Sequence, residues 1–464
     1  MSNMNISSKI FKEYDIRGVY PQEISGDVAR ALARAFAKMF KLKKIIVGRD
    51  ARVESEKVFW PLVQEFMACG VKVSDLGVCA TPELFFAVGA KKFPAGVMVT
   101  ASHSPNGQTG FKFCDGRGQV LGLNAGLKRL SALAKGEVKS LAESDKIKND
   151  SRLIDFSTVV RDYEKFASSF FRPQDVKGFR IVLDASGGSG ARLADDLFEK
   201  LPLKATYINF RAGDKYPDHG PNPLLPENQK VIIREIKNKK ADLGVIFDGD
   251  ADRTVFFDEL GNFIEPYYIN CLLSQIILSL RKNIKIVVDA RLVLAISQVI
   301  KNNQGQVFVH RSGYANFIKT MTEKKLLFGC ENSGHFIINF LLKSPNRSYV
   351  YGDGLIPVFL LLKYLKKSHL TLSRAVEPFK KLYVVSGELN FIIKNFQKVE
   401  QNVRRQFSGN IFSSIDGLSV TDPKKEWFFN LRLSHTEPVV RLNIESRSHA
   451  QLLALKKKLT SLIK

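Results

Sequence analysis

Short apolar runs recur along the chain, each ending in a polar turn, with amphipathic stretches between them. Three such runs open a segment each: KIIVGRDAR (44–52), RIVLDASGG (180–188) and KIVVDARLV (285–293). Each is followed, some tens of residues later, by a second run: AGVMVTASHS (95–104), ADLGVIFDGDAD (241–252) and LLFGCENSGH (326–335). Continuous β-branched runs predict strands covered on both faces, and the helical stretches between them predict βαβ units. In DVARALARAFAKMF (27–40), Val28, Leu32, Phe36 and Phe40 share one face at i+4 spacing, with Asp27 as the expected N-cap. Three copies of one plan predict three related α/β domains with mixed, mainly parallel sheets flanked by helices. Ligands of such sheets gather at the carboxyl ends of the strands. That is where the second run of each copy carries its unusual residues.

From about residue 379 the pattern changes. YVVSGELNFII, LSVTDP, EWFFNLRLS and VVRLNIES read as alternating strands, and SHAQLLALKKKLTSLI reads as one closing helix. A separate α+β module is expected there. The predicted domains are 1–155, 156–262, 263–378 and 379–464.

Composition narrows the class. A chain of 464 residues is too long for one ordinary core, and a hydrophobic content of 45% indicates a folded globular protein. Its five cysteines form no CxxC pair and leave one over, which points to reduced thiols and a cytoplasmic setting. The N-terminus has no apolar signal core. The stretches CLLSQIILSL (271–280) and LIPVFLLLKYL (355–365) fall short of the roughly 20 apolar residues that span a bilayer, so they read as buried helices and no membrane partner is expected. A formal charge of +24 is compatible with nucleic acid, a membrane surface or a small anionic substrate. The lysines lie in scattered runs such as KLKK (41–44), KNKK (237–240) and KKK (456–458), without aromatic interleaving or a zinc-finger pattern. A solvated basic surface is the simpler reading.

Four loops carry chemistry. In DGDADR, Asp248, Asp250 and Asp252 alternate on a turning backbone, so their carboxylates can converge and need a cation. An all-oxygen set suits Mg2+ better than zinc, and the glutamate that would end an EF-hand pattern is missing. Arg253 beside them is placed for a further anion. In ENSGH, alternation puts Glu331, Ser333 and His335 on one side of an extended segment, a set suited to sugar hydroxyls. Alone, it fits a capping serine and a surface histidine better. RLSHTEP offers Arg432, Ser434, His435 and Thr436 as a phosphate cradle, though such turns are common. In TASHSPNGQTGFK (100–112), Ser102 reads equally as a helix cap or as a carrier of a phosphoryl group, with His103 or Lys112 handling a proton. No GxSxG elbow supports a hydrolase triad.

Taken together, YDIRG (14–18), VGRDAR (47–52), TASHSPNGQTGFK, DGDADR, ENSGH and RLSHTEP occur in the order and spacing of the α-D-phosphohexomutases. Over nearly its whole length the chain resembles that family, and within it the bacterial phosphomannomutase/phosphoglucomutase branch. The resemblance implies four domains around a central cleft, with one loop from each. It implies a phosphorylated Ser102, with Mg2+ held by Asp248, Asp250, Asp252 and a phosphoserine oxygen. His103, Lys112, Arg17 and His335 are then the catalytic candidates. Tyr14, Arg17, Arg253, Arg291, Tyr314, Glu331, Ser333, His335, Arg432, Ser434, His435 and Thr436 are the substrate-binding candidates. The implied reaction interconverts hexose 6-phosphate and hexose 1-phosphate of mannose or glucose through a hexose 1,6-bisphosphate, which also serves as activator. Implied partners are small phosphosugars and not nucleic acid, and neither monomer nor dimer is indicated.

The chain departs from the family pattern in places. Ser104 stands where asparagine is usual, Thr109-Gly110 where Asn-Gly is frequent, and His435 where the phosphate loop usually has asparagine. Tyr314 replaces a frequent histidine and Arg291 a frequent lysine, while Asn332 occupies the middle of the sugar loop. The donors are kept, so the reaction is expected to survive, with Tyr314 able to change which group moves the second proton. Phosphoglucosamine mutase is the alternative within the class. A basic nucleic-acid-binding protein on a decayed mutase scaffold is the alternative outside it.

Overall fold

Three sheets repeat one internal order in the computed structural model, which describes residues 6–135, 150–211, 219–343, 348–393, 395–434 and 439–463. In the first sheet, Lys72–Val78, Lys44–Arg49 and Ala95–Val99 pair in parallel. Gln108–Asp115 and Ile16–Val19 then continue the sheet antiparallel, and Leu153–Asp155 adds a parallel strand at the opposite edge. The second sheet runs Lys204–Ile208, Arg180–Asp184, Leu243–Phe247, Thr254–Phe257 and Phe263–Ile264, with two parallel pairings followed by two antiparallel ones. The third has the same order in Gln306–His310, Lys285–Asp289, Phe328–Cys330, Phe336–Asn339 and Val350–Gly352. The sheets are therefore mixed, each with a parallel half and an antiparallel half. In every one, the turn joining the third strand to the fourth is the loop singled out from sequence. The repeat thus delivers three chemically different turns from equivalent positions.

Burial explains the elements. Strands Ala95–Val99 and Leu243–Phe247 are buried at every residue, as their unbroken apolar runs require. Helix Gly26–Phe40 buries Val28, Leu32 and Phe36, while Phe40 is half-buried. Its N-cap is Ser25, whose side chain accepts from Val28 N at 3.4 Å, and not Asp27. The aspartate sits in the first turn, where its charge meets the positive end of the helix dipole. The apolar stretches form helices Pro266–Leu280 and Ile356–Ser368, both packed into one core that runs through all three sheets. No helix among the described residues is long and apolar enough to cross a membrane. All five cysteines are free thiols, and only Cys69 is exposed.

The C-terminal module is an antiparallel sheet ordered Val384–Ile392, Val439–Ser446, Trp427–Leu433, Leu418–Thr421 and Ile411–Ser413. Two helices cover it, His449–Ile463 as expected and also Phe396–Gln406. The second helix escapes the sequence pattern because it buries only Val399 and Val403 in an otherwise polar segment. A buried carboxylate ties the module to the third sheet. Glu445 accepts the N–H groups of Val293, Leu294 and Ala295, at 3.0, 2.8 and 2.7 Å, at the start of helix Leu294–Asn302. Helix N-termini present such unsatisfied donors, and an acidic acceptor answers their dipole as well.

Candidate active site

The four loops face one cleft of about 1170 Å³. From the first unit come Tyr14, Arg17, Ser102, His103 and Lys112, and from the second Asp252 and Arg253. The third supplies Arg291, Tyr314, Glu331, Ser333 and His335, and the fourth Arg432 and Ser434. Asp248 and Asp250 lie fully buried behind Asp252. His435 and Thr436 lie outside the described residues.

Ser102 precedes no helix, since the chain turns from it into strand Gln108–Asp115, and the cap reading therefore fails. Its backbone is left-handed (φ +50°), a region that non-glycine residues seldom occupy and that recurs at functional sites. Its N–H donates to Thr100 Oγ1 at 2.8 Å, and its Oγ donates to Asp248 Oδ2 at 3.1 Å. The loop of the three aspartates packs directly on this turn. A Cβ on Gly249 would lie 2.5 Å from the Ser102 carbonyl oxygen, so only glycine fits.

Behind the turn lies a residue that sequence reasoning quoted but gave no role. The buried Arg52 guanidinium donates to the carbonyls of Ser102 and Ser104, both at 2.7 Å, of Pro105 at 3.0 Å and of Gln108 at 3.3 Å. Asp50, 3.3 Å from Arg52 Nε, neutralises it. One planar fork thus draws the carbonyls of the loop to one side and leaves Ser102 Oγ toward the aspartates.

The three aspartates offer carboxylate oxygens within 4.8 Å of one another, all buried. Lys112 Nζ stands 2.7 Å from Asp250 Oδ2 and 2.5 Å from Asp252 Oδ2. Burial alone would lower the Lys112 pKa, but these carboxylates outweigh it and hold the ammonium charged well above its usual range. Asp248 goes the other way, raised by burial and by its two acidic neighbours. Oδ1 of Asp250 is buried without a hydrogen-bond donor, while Oδ1 of Asp252 has His335 Nε2 3.4 Å away. An uncompensated acceptor at the meeting point of three carboxylates fits a hard divalent cation.

Around this centre the histidines differ. His103 is pushed well below its usual value by burial first, then by Arg253, Arg17 and Lys112, so it stands neutral. Arg17 Nη1 lies 3.4 Å from its Nε2, and Asp15 grips Arg17 from the other side at 2.5 Å. For His335, burial and Arg253 lower the pKa, but Asp252 and Glu331 raise it further, and the net shift is upward. Its Nδ1 lies 2.9 Å from Ser333 Oγ and 3.3 Å from Glu331 Oε2. These three converge as expected, but by a tight turn with Gly334 at φ +84° and not on an extended segment. Arg253 Nε donates to His335 Nε2 at 3.2 Å and lies 3.8 Å from Asp248.

Tyr314 lines the cleft. Its hydroxyl accepts from Gly352 N at 3.0 Å, and burial pushes its pKa far up. The ring lies against His335, with centroids 5.3 Å apart, and so shapes the wall of the cleft. Tyr14 Oη donates to the Ser312 carbonyl at 3.1 Å, joining the first unit to the third. At the far end, Glu388 gathers three arginines: Arg441 at 2.8 Å, Arg291 at 3.4 Å and Arg432 at 3.7 Å. Arg291 is also bonded to the buried Asp289. Glu388 and Arg441 were not foreseen, because a carboxylate inside a cluster of arginines has no sequence signature of its own.

Comparison with known proteins agrees with this arrangement. Models of the phosphoglucomutase/phosphomannomutase family match in order: alpha/beta/alpha domain I at residues 8–136, domain II at 161–261, domain III at 265–382 and the C-terminal domain at 384–462. A phosphomannomutase of Vibrio cholerae is 31% identical over 98% of this chain and 98% of its own length. A phosphomannomutase of Methanocaldococcus jannaschii is 31% identical over 94% and 93%. The crystal structure of a phosphoglucomutase/phosphomannomutase family protein from Burkholderia thailandensis superposes with a TM-score of 0.82 at 27% identity, covering 99% of this chain and 98% of that one. Fold, cleft and full-length similarity lead to one conclusion: the chain belongs to the phosphoglucomutase/phosphomannomutase family, a family of phosphohexomutase isomerases.

Proposed function

We propose that the protein interconverts hexose 6-phosphate and hexose 1-phosphate, with mannose or glucose as the sugar, using Ser102 as phosphoryl carrier. The observation that carries this reading is the placement of Ser102 Oγ, 3.1 Å from Asp248, at the floor of a cleft that also holds a cation-binding triad. In the first half-reaction the Ser102 Oγ–P bond breaks and a bond forms from phosphorus to the free sugar hydroxyl, giving a hexose 1,6-bisphosphate. In the second, the other phosphate leaves its sugar oxygen and returns to Oγ. Mg2+, when held by Asp248, Asp250, Asp252 and a phosphoryl oxygen on Ser102, supplies neutralisation of the transferring group.

The remaining roles fall to protein side chains. His103, neutral beside Ser102, suits acceptance of the attacking hydroxyl's proton. Lys112 is held charged by its aspartates, so it suits donation and charge stabilisation better than proton removal. Glu331, Ser333 and His335 face the sugar hydroxyls, and Arg432 and Ser434 hold the non-reacting phosphate. The same cleft must accept the bisphosphate in both orientations, which fits a sugar-reading loop in the middle and cations at both ends. Mannose is favoured because proteins called phosphomannomutases align over nearly the full chain, and glucose because the matching family is described as phosphoglucomutase/phosphomannomutase.

The test is a side-by-side measurement of turnover on mannose, glucose and glucosamine 1-phosphates, with Mg2+ and a 1,6-bisphosphate activator, for the native chain and Ser102→Ala. Turnover of mannose or glucose 1-phosphate that disappears in Ser102→Ala supports the reading. A preference for glucosamine 1-phosphate moves the protein to the neighbouring branch, and an unimpaired Ser102→Ala ends the claim.

A further inference from the structure

Among the three aspartates of the metal loop, Asp250 is held in a way the other two are not. Asp248 takes its hydrogen bonds from Ser102 Oγ and from the nearby Arg253 N, at 3.1 Å each. Asp250 is gripped twice by one residue of the first unit. Thr81 N donates to the Asp250 carbonyl at 2.9 Å, and Thr81 Oγ1 donates to Asp250 Oδ2 at 2.5 Å. Thr81 is fully buried and opens helix Thr81–Ala90. Being β-branched, it has few χ1 choices, and the bond to Asp250 selects the one in which its hydroxyl faces the carboxylate. The helix start is itself fixed. Glu83 accepts from Ala80 N at 2.7 Å and pairs at 2.9 Å with Arg192, on helix Gly190–Phe198 of the second unit.

The consequence lies in how the two oxygens of Asp250 are used. Oδ2 receives Thr81 and also Lys112 Nζ at 2.7 Å. Oδ1 is buried and receives no donor at all. A buried carboxylate oxygen left bare is costly unless a cation uses it.

We infer that Thr81 is a positioning residue for the metal site: by committing Oδ2 of Asp250, its hydroxyl fixes Oδ1 as the oxygen offered to a divalent cation. This rests on the reading of the aspartate triad as a cation site. Because Thr81 and Lys112 belong to the first unit and Asp250 to the second, the same bond makes cation affinity depend on how these units are docked.

The experiment uses the full chain with Mn2+ as probe, free Mn2+ being read by electron paramagnetic resonance, and Mg2+ titrated by calorimetry. Removal of an outer-shell partner typically weakens metal binding by about 10–100-fold, and that loss is expected for Thr81→Val. Thr81→Ser, which keeps the hydroxyl, is expected to stay within about threefold of the native affinity, since the partner bond survives. Melting of the metal-free variants separates local from global damage, and Thr81→Ala carries the same expectation if the valine variant does not fold. Native affinity in Thr81→Val, or an equal loss in Thr81→Ser, would overturn the role of the hydroxyl. If the native chain binds neither ion, the cation reading of the triad falls, and the inference with it.

Discussion

Replacement of Arg52 by alanine is the most informative perturbation of the serine turn, because Arg52 is not among the residues that line the cleft yet holds the turn together. The variant strips the hydrogen bonds to the carbonyls of Ser102, Ser104, Pro105 and Gln108 and leaves Asp50 without its guanidinium. An orphaned buried polar group costs about 1–3 kcal/mol, and loss of one partner from a buried ion pair about 3–5 kcal/mol. These costs overlap, since one side chain makes every contact, and part of them appears as global destabilisation. If about 3 kcal/mol falls on the reaction step, kcat drops about 100-fold, at about 1.4 kcal/mol per factor of ten. KM should stay within about threefold, because Glu331, Ser333, Arg432 and Ser434 are left in place and shared ground-state binding is retained. The assay is steady-state turnover of mannose 1-phosphate beside a thermal melt, with and without millimolar guanidinium ion. Arg52→Lys should recover little, because a single ammonium cannot reproduce a planar fork, whereas free guanidinium should restore part of kcat to Arg52→Ala. An Arg52→Ala variant with native kcat, or one whose loss lies wholly in KM, would refute the positioning argument.

Other expectations follow from the same geometry. Arg432→Ala should raise KM with a smaller effect on kcat, measured with either hexose 1-phosphate, since it removes binding common to ground and transition states. Chelation of divalent ions should abolish turnover and added Mg2+ restore it, and Asp250→Asn should shift the Mg2+ dependence to higher concentration in the same assay. Burial raises the pKa of Asp353, which accepts from Tyr163 Oη at 3.0 Å and from Leu355 N and Ile356 N at 2.9 Å each. The folded protein therefore binds that proton more tightly than the unfolded chain. The contribution is present below the ordinary carboxylate range and is lost as pH rises through the raised value. Denaturant melts across mildly acidic to neutral pH should show that slope flattened in Asp353→Asn.

Much of the fold was legible because three copies of one hydrophobic pattern can hardly arise except from three copies of one sheet. The four loops were legible because each concentrates reactive residues within a few positions. What stayed hidden depends on distance along the chain. Arg52 and the turn it holds are separated by some fifty residues, and Thr81 and Asp250 by far more. A threonine before a proline reads simply as a helix start, and in ATPEL that local meaning is also true. Glu388 was hidden for an electrostatic reason, since an acidic residue argues against a phosphate site until three arginines are seen around it. Helix Phe396–Gln406 was missed although Phe396, Val399 and Val403 recur at helical spacing, because so few apolar residues stand in a strongly polar segment. That the Tyr314 hydroxyl meets the Gly352 amide was hidden for the same reason as the Arg52 contacts, the two residues lying on different elements of the third unit.

The central claim is that a phosphoryl group resides on Ser102 during turnover. The direct measurement is to incubate the full chain with glucose 1,6-bisphosphate and Mg2+, then locate any phosphoryl group by peptide mapping before and after addition of hexose monophosphate. One phosphoryl group on Ser102, discharged by the monophosphate and absent from Ser102→Ala, is the expected result. Turnover that proceeds with no phosphoryl group on Ser102, or with the label on Ser104 instead, would contradict it.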